Sequence, residues 1–269
     1  MTEISNYEVY TSRMAKTVFD KCWWFDKIDD NIDTVVDFGC ATGDLFTFLR
    51  RIAPERFNKF IGIEKDPEMR SRANNKHNCY RDTIFISSIE QLSSISNFDA
   101  SRAVIVMNSV IHEILSYQGN SFFLNCLYDI GRLGFKYIAI RDMYFDNIKF
   151  FTTSDNFIID NIKNKLDTLS EDNPYNERWK EYNNSRVLFP QDIVEFLLKY
   201  SYSENWEREK NEQYLWDWII DVEKMLRGTY LLDFCEQFSI LYQKKKIKAD
   251  LGIDLPYNTH MKVLLTKKE

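Results

Sequence analysis

The stretch Val35-Val36-Asp37-Phe38-Gly39-Cys40-Ala41-Thr42-Gly43 decides the fold. Two β-branched residues lead into an acid and a first glycine, and Asp44-Leu45 opens a helical pattern directly after the second. Such a run reads as a buried strand, a tight bend and a helix start. Glycines in the bend let a ligand approach the backbone closely, and the bend falls at the carboxyl edge of the sheet, where α/β folds bind ligands. Three residues separate Gly39 from Gly43, so the G-x-G-x-x-G dinucleotide fingerprint is absent. The pyrophosphate cradle made by that motif is not expected, which disfavours a nicotinamide-dependent oxidoreductase.

Working outward, short β-rich runs alternate with helical patterns through the first half of the chain. Thr34–Phe38, Phe60–Glu64, Thr83–Ile86, Ala103–Met107 and Tyr137–Ile140 read as strands, and 10–28, 45–52 and 121–133 as helices. This alternation predicts an α/β fold, a Rossmann-like, seven-stranded, mostly parallel sheet flanked by helices. Thr229–Phe234 and His260–Thr266 supply the last two strands, after a helix over 214–226. Residues 146–213 mix charged and aromatic residues without strand alternation. They are expected to form a helical insertion after the fifth strand, with Pro190 at a helix start. Residues 1–145 and 214–269 would then be the core, and 146–213 a lid shaping the acceptor site. The charges of 200–214 are spaced i,i+4, as on a solvated helix. The insertion's aromatics, Tyr175, Trp179, Tyr182, Tyr200, Tyr202 and Trp206, could stack on a planar ligand or form the insertion's own core.

The bend resembles the first motif of the class I S-adenosylmethionine-dependent methyltransferases, hhDhGCGTG, with Ala41 in place of the usual middle glycine. The resemblance implies S-adenosylmethionine as cofactor. It places Gly39 and Gly43 beneath the methionine part, with Cys40 and Ala41 among the cofactor-binding residues, and Asp37 near the ammonium, and a carboxylate complements a ligand carrying ammonium and sulfonium charge. Phe60-Ile61-Gly62-Ile63-Glu64 ends the second strand in an acid that can accept both ribose hydroxyls, and Lys65-Asp66-Pro67 matches the family's continuation. Ser88 stands where the family often has an acid for the adenine amino group, and Arg13 with Met14 could close over the cofactor.

Methyl transfer from a sulfonium is an in-line displacement, so the protein chiefly aligns an electron-rich acceptor and excludes water. The acceptor is expected near Met107-Asn108-Ser109-Val110-Ile111-His112-Glu113, which resembles the N-V-L-H-H stretch of small-molecule and RNA methyltransferases. Here Asn108 and His112 are the catalytic candidates, with a histidine packed against the next helix as the alternative for His112. Glu113 reads as structural. Arg141-Asp142 at the fifth strand's exit resembles the R-D-Y of transfer-RNA cytosine methyltransferases, or is an internal Arg–Asp pair bracing the site. No Pro-Pro and no Pro-Cys occurs, so neither class of DNA methyltransferase fits.

The chain has 269 residues and a net charge of -6, so bulk charge does not favour a polyanion partner. The Lys244-Lys245-Lys246 cluster with Lys248 reads as a solvated face. Five cysteines without a CxxC pair, and three histidines without ligand spacing, fit a cytoplasmic chain with no metal site and no disulfide framework. No leader is expected and no apolar run suits a membrane span. The expected function is methylation of an N or O atom, most simply on a small molecule. The alternatives are an RNA methyltransferase and a cofactor-binding subunit without turnover.

Overall fold

The computed structural model describes residues 7–8, 12, 17–144 and 153–269. Seven strands form one sheet: β1 Thr34–Phe38, β2 Lys59–Ile63, β3 Thr83–Ile86, β4 Ala103–Asn108, β5 Tyr137–Met143, β6 Tyr230–Phe238 and β7 His260–Lys267. Their order is β3-β2-β1-β4-β5-β7-β6. The pairs β1–β2, β1–β4, β2–β3 and β4–β5 are all parallel. Chain order reverses between β1 and β4, which makes the carboxyl ends of these two strands the crevice of the fold. β4 is buried along its whole length. Its unbroken apolar run is what a parallel strand shielded on both faces requires.

Helices α1 Asp44–Ile52, α2 Pro67–Lys76, α3 Ile111–Gln118 and α4 Asn120–Leu133 lie between these strands in sequence. α1 buries Leu45, Phe46 and Leu49 and ends on Arg50 and Arg51, which suit the negative pole of its dipole. α2 begins with Pro67 at its first turn and is capped by Asp66, whose carboxylate accepts from the Met69 amide.

The expected strands and helices of the first half are present, with β4 and β5 running further than the sequence pattern indicates. The expected helix over 10–28 differs. Tyr10, Arg13 and Met14 lie outside the described residues, and 17–28 contains two 3-10 turns, Asp20–Cys22 and Phe25–Lys27. The Lys21 carbonyl, which would serve an α-helix, accepts instead from the Trp24 indole and the Asn108 amide. The helix expected over 214–226 is also shorter, α8 Trp218–Leu226.

The chain divides into two compact units. The larger holds Tyr7–Asp142, Ile219–Glu236 and Lys262–Glu269. Its core joins Trp24, Val35, Phe46, Phe57, Phe60, Val104 and Leu264. The smaller holds Met143–Trp218 and also Gln237–Met261, a stretch the sequence reading assigned to the core. The reason is apolar packing. Within the smaller unit are α5 Thr153–Asp167, α6 Asn176–Asn184, α7 Pro190–Lys199 and α9 Leu241–Leu251. Ile247 and Leu251 of α9, with Ile253 and Leu255, bury in the same cluster as Trp179 and Phe196.

The aromatics of this unit form a core. Trp179, Tyr182, Tyr200 and Trp206 all pack around Phe196, and Tyr175 meets Tyr200 edge-on. The solvated helix expected over 200–214 is corrected to a single helical turn, Trp206–Glu209, with Arg208, Glu209 and Glu212 buried. The i,i+4 spacing there serves a buried ion pair, Arg208–Glu212 at 2.7 Å. On α9 two lysines of the basic cluster are paired locally, Lys246 with Asp250 and Lys248 with Asp254.

Candidate cofactor and acceptor site

The bend after β1 is held by hydrogen bonds to the end of β2: the amides of Gly39 and Cys40 both donate to the Ile63 carbonyl. Three of its residues have positive φ, Gly39 at 77°, Ala41 at 48° and Gly43 at 72°. Space demands glycine as much as conformation does. A Cβ on Gly39 would lie 2.7 Å from Val110 Cγ2, and one on Gly43 would lie 2.8 Å from His77 Nε2. Ala41 carries its Cβ through the left-handed region, a strain of about 1–2 kcal/mol.

A recess opens where β1 and β4 end, lined by Lys21, Asp37, Gly39, Ala41, Asp44 and Asn108, with Cys40 beside them. Asp37 is buried there. Burial pushes its carboxyl up to about 7; Lys21 works against that shift, while Glu64 and Asp44 add to it. Burial likewise brings the Lys21 ammonium down to about 8, with Asp37 opposing. Asn108 is buried at the tip of β4; its Nδ2 donates to the Lys21 carbonyl at 3.3 Å, and its Oδ1 has no partner. The Cys40 thiol is held well above its usual range by burial and by the Asp37 and Glu64 charges, so it is no nucleophile.

Glu64 follows β2 directly. Its Oε2 accepts from the Ala41 amide at 2.9 Å and its Oε1 from the Asp66 amide at 2.8 Å. Burial still raises this carboxyl to about 7 against both hydrogen bonds. Each oxygen keeps a second lone pair for a ligand hydroxyl.

The remaining candidates are more scattered. Lys65 is exposed and its Nζ reaches Gln118 at 3.0 Å. Ser88 precedes the 3-10 turn Ile89–Ser94, and its hydroxyl serves Glu90, whose carboxyl is lowered by that bond. Arg13 lies outside the described residues.

His112 is the second residue of α3 and is buried; its Nδ1 lies 2.6 Å from Asp142 Oδ1. The other Asp142 oxygen accepts from the Ile111 amide. The expected Arg141–Asp142 pair is corrected. Successive residues of a strand face opposite sides, so the two take different partners. Arg141 Nε donates to Asp20 at 2.8 Å, and its Nη1 donates to Ser109.

Sequence reasoning missed Lys21, Asp44 and His77, and it missed the partner of Asp142. Lys21 had one signal, a lysine three residues past Val18 on an otherwise apolar face. Asp142 was singled out beside Arg141, but its pairing with His112 had no signal, because the two are 30 residues apart. Among the described residues no group of three His, Cys, Asp or Glu could hold a metal ion, and no helix is long and apolar enough to cross a membrane.

No family model matches the chain, and no curated protein does. Solved structures do. The plantazolicin methyltransferase BamL, in complex with a triazolic desmethylPZN analog and SAH, is 9% identical, with 98% of this chain and 88% of that one covered at a TM-score of 0.52. A putative S-adenosylmethionine-dependent methyltransferase from Listeria monocytogenes is 12% identical, with 93% and 98% covered at a TM-score of 0.50. The chain has the fold of the class I S-adenosylmethionine-dependent methyltransferases.

Proposed function

We propose that the chain binds S-adenosylmethionine in the recess at the β1 and β4 tips and methylates an N or O atom of a small molecule. The observation that carries this reading is the donor set of that recess. Asp37 and the partnerless Oδ1 of Asn108 are both acceptors, so they call for a cation or an N–H donor. Lys21 complements a carboxylate on the same ligand, and the pair reads a zwitterionic amino-acid head group. Glu64, tied to the bend through Ala41, presents two oxygens to a diol.

The cofactor supplies a methyl group already activated on a sulfonium. The work left to the chain is to orient the acceptor, exclude water and remove a proton where the acceptor carries one. The net charge of -6 supports a small molecule over RNA as the acceptor.

Isothermal calorimetry with S-adenosylhomocysteine and with NADH tests the reading. Micromolar affinity for the first and none for the second is expected, and the reverse would remove it. RNA binding that weakens steeply with salt would replace the small molecule by RNA.

A further inference from the structure

The fastening of the 3-10 turn Asp20–Cys22 deepens this reading and rests on it. We infer that Asp20 is a positioning residue for the cofactor's carboxylate. Gripped by Arg141, it holds Lys21 at the recess, and it neutralises a guanidinium that otherwise works against the Lys21 ammonium.

Two adjacent side chains of the turn divide the work. Lys21 lines the recess together with Asp37 and Asn108. Asp20 meets Arg141 of β5 and Lys262 of β7. Arg141 donates to its Oδ2 from Nε at 2.8 Å and from Nη2, and the Lys262 ammonium lies 3.4 Å from its Oδ1. Arg141 reaches further: its Nη1 donates to Ser109 Oγ at 3.1 Å, and its carbonyl accepts from the Ser109 amide at 2.7 Å. Ser109 follows Asn108, whose Nδ2 donates to the Lys21 carbonyl, and the Trp24 indole adds a second bond to that carbonyl at 3.0 Å. The bonds close a circuit from Asp20 through Arg141, Ser109 and Asn108 back to Lys21. A three-residue 3-10 turn has little stability of its own, so these ties fix where Lys21 stands.

The same grip sets a charge. Burial brings the Lys21 ammonium down; the Asp37 carboxylate opposes that shift, the Arg141 guanidinium adds to it, and Asp44 and Glu113 oppose it. Against the effect of burial, Arg141 and Lys262 hold the Asp20 carboxyl below its usual range, so its negative charge stays on the guanidinium. Lys262 has Glu236 as well, at 3.8 Å. Arg141 is buried, and without Asp20 its charge loses this compensation and bears on Lys21 in full. The Lys21 ammonium acts on a ligand carboxylate through its charge as well as through its three N–H donors.

Calorimetry with two ligands separates this role from a merely structural one. S-adenosylhomocysteine carries the carboxylate, and its decarboxylated analogue, 5′-deoxy-5′-(3-aminopropylthio)adenosine, keeps only the adenosine and the ammonium. Asp20→Asn preserves shape and removes charge. At pH 8, D20N should lose about tenfold or more on S-adenosylhomocysteine, yet stay within about threefold on the analogue. Lys21→Met should show the same selectivity, and adding D20N to K21M should cost less than about threefold more, because the two act through one group. The ratio of D20N to unaltered affinity, in which the ligand's own titration cancels, should fall as pH rises from about 6 to 8, because Lys21 loses its proton sooner. A turn that had merely come loose would hydrate Lys21, return it toward an ordinary lysine and make that ratio rise. A smaller loss in D20N or K21M, equal losses on the two ligands, a rising ratio or an additive double variant would overturn the inference. If D20N does not fold, Arg141→Lys keeps a cation but gives up the forked grip, and supplies the same comparison of ligands. Any of these failures with S-adenosylhomocysteine still bound by the unaltered chain spares the cofactor reading; absent affinity in the unaltered chain removes both.

Discussion

The Ala41 amide donates to Glu64 Oε2 across 2.9 Å, so the bend after β1 and the tip of β2 are joined through one carboxylate. The same side chain receives the Asp66 amide on its other oxygen. Glu64 thus shapes the loop it is proposed to serve. Replacing it by Gln leaves one acceptor for two amides and removes the charge. Hydrogen bonds to a charged group contribute about 1.5–3 kcal/mol, so S-adenosylhomocysteine affinity in E64Q should fall about 10- to 100-fold. Calorimetry, with circular dichroism to confirm the fold, checks this; unchanged affinity would detach Glu64 from the ligand.

Asp37 and Glu64 share a pH signature. Burial raises both carboxyls to about 7, so the folded chain retains protons that the unfolded chain has already released. Their contribution to stability is complete below about pH 4 and is lost as pH rises through about 7. Binding of a cationic head group runs the other way, because it requires the ionised carboxylates. Affinity for S-adenosylhomocysteine should therefore rise several-fold between about pH 6 and 8, and Asp37→Asn should flatten the rise. Calorimetry across that range decides, and a flat profile in the unaltered chain would sink the expectation.

The sequence made β1, the bend and the tip of β2 legible because their signals are local. An apolar strand, two glycines and an acid at the next strand's end need no partner to be read. His112 was legible as a residue but not as half of a couple, since Asp142 reaches it only through the parallel pairing of β4 with β5. Lys21 was hidden for a similar reason. The Trp24 and Asn108 side chains that bond its carbonyl, and the Asp37 charge beside it, come together only in the folded chain. Around Arg208 the helical charge spacing was real, but burial reversed its meaning. Spacing reports which side chains meet and is silent about solvent.

The bend offers opposite outcomes at neighbouring positions. Ala41 has φ +48°, so Ala41→Gly relieves about 1–2 kcal/mol of backbone strain and loses about 0.4–1 kcal/mol to the freer unfolded chain. A net gain of between about 0 and 1.6 kcal/mol is expected in urea unfolding. Gly39→Ala combines φ +77° with a contact of 2.7 Å to Val110 Cγ2 and should cost about 1–3 kcal/mol. Equal stability of the two variants would show that the bend is not held as described.

The smaller unit carries a test of its own. Lys199 and Glu195 are both buried, with Nζ 2.7 Å from Oε2; the other Glu195 oxygen accepts from the Leu215 amide, and Lys199 also donates to the Glu212 carbonyl. Lys199→Met strands a buried carboxylate and a carbonyl, and breaking such a pair costs about 3–5 kcal/mol. Adding Glu195→Gln removes the stranded charge yet keeps an acceptor for Leu215, so the double variant should recover part of the loss. Urea unfolding followed by tryptophan fluorescence, in a background with Trp23 and Trp24 replaced by Phe, reads this unit, whose core holds Trp179 and Trp206. A Lys199→Met cost below about 1 kcal/mol, or a double variant less stable than the single one, would mean that the pair is hydrated and the unit's packing looser than described.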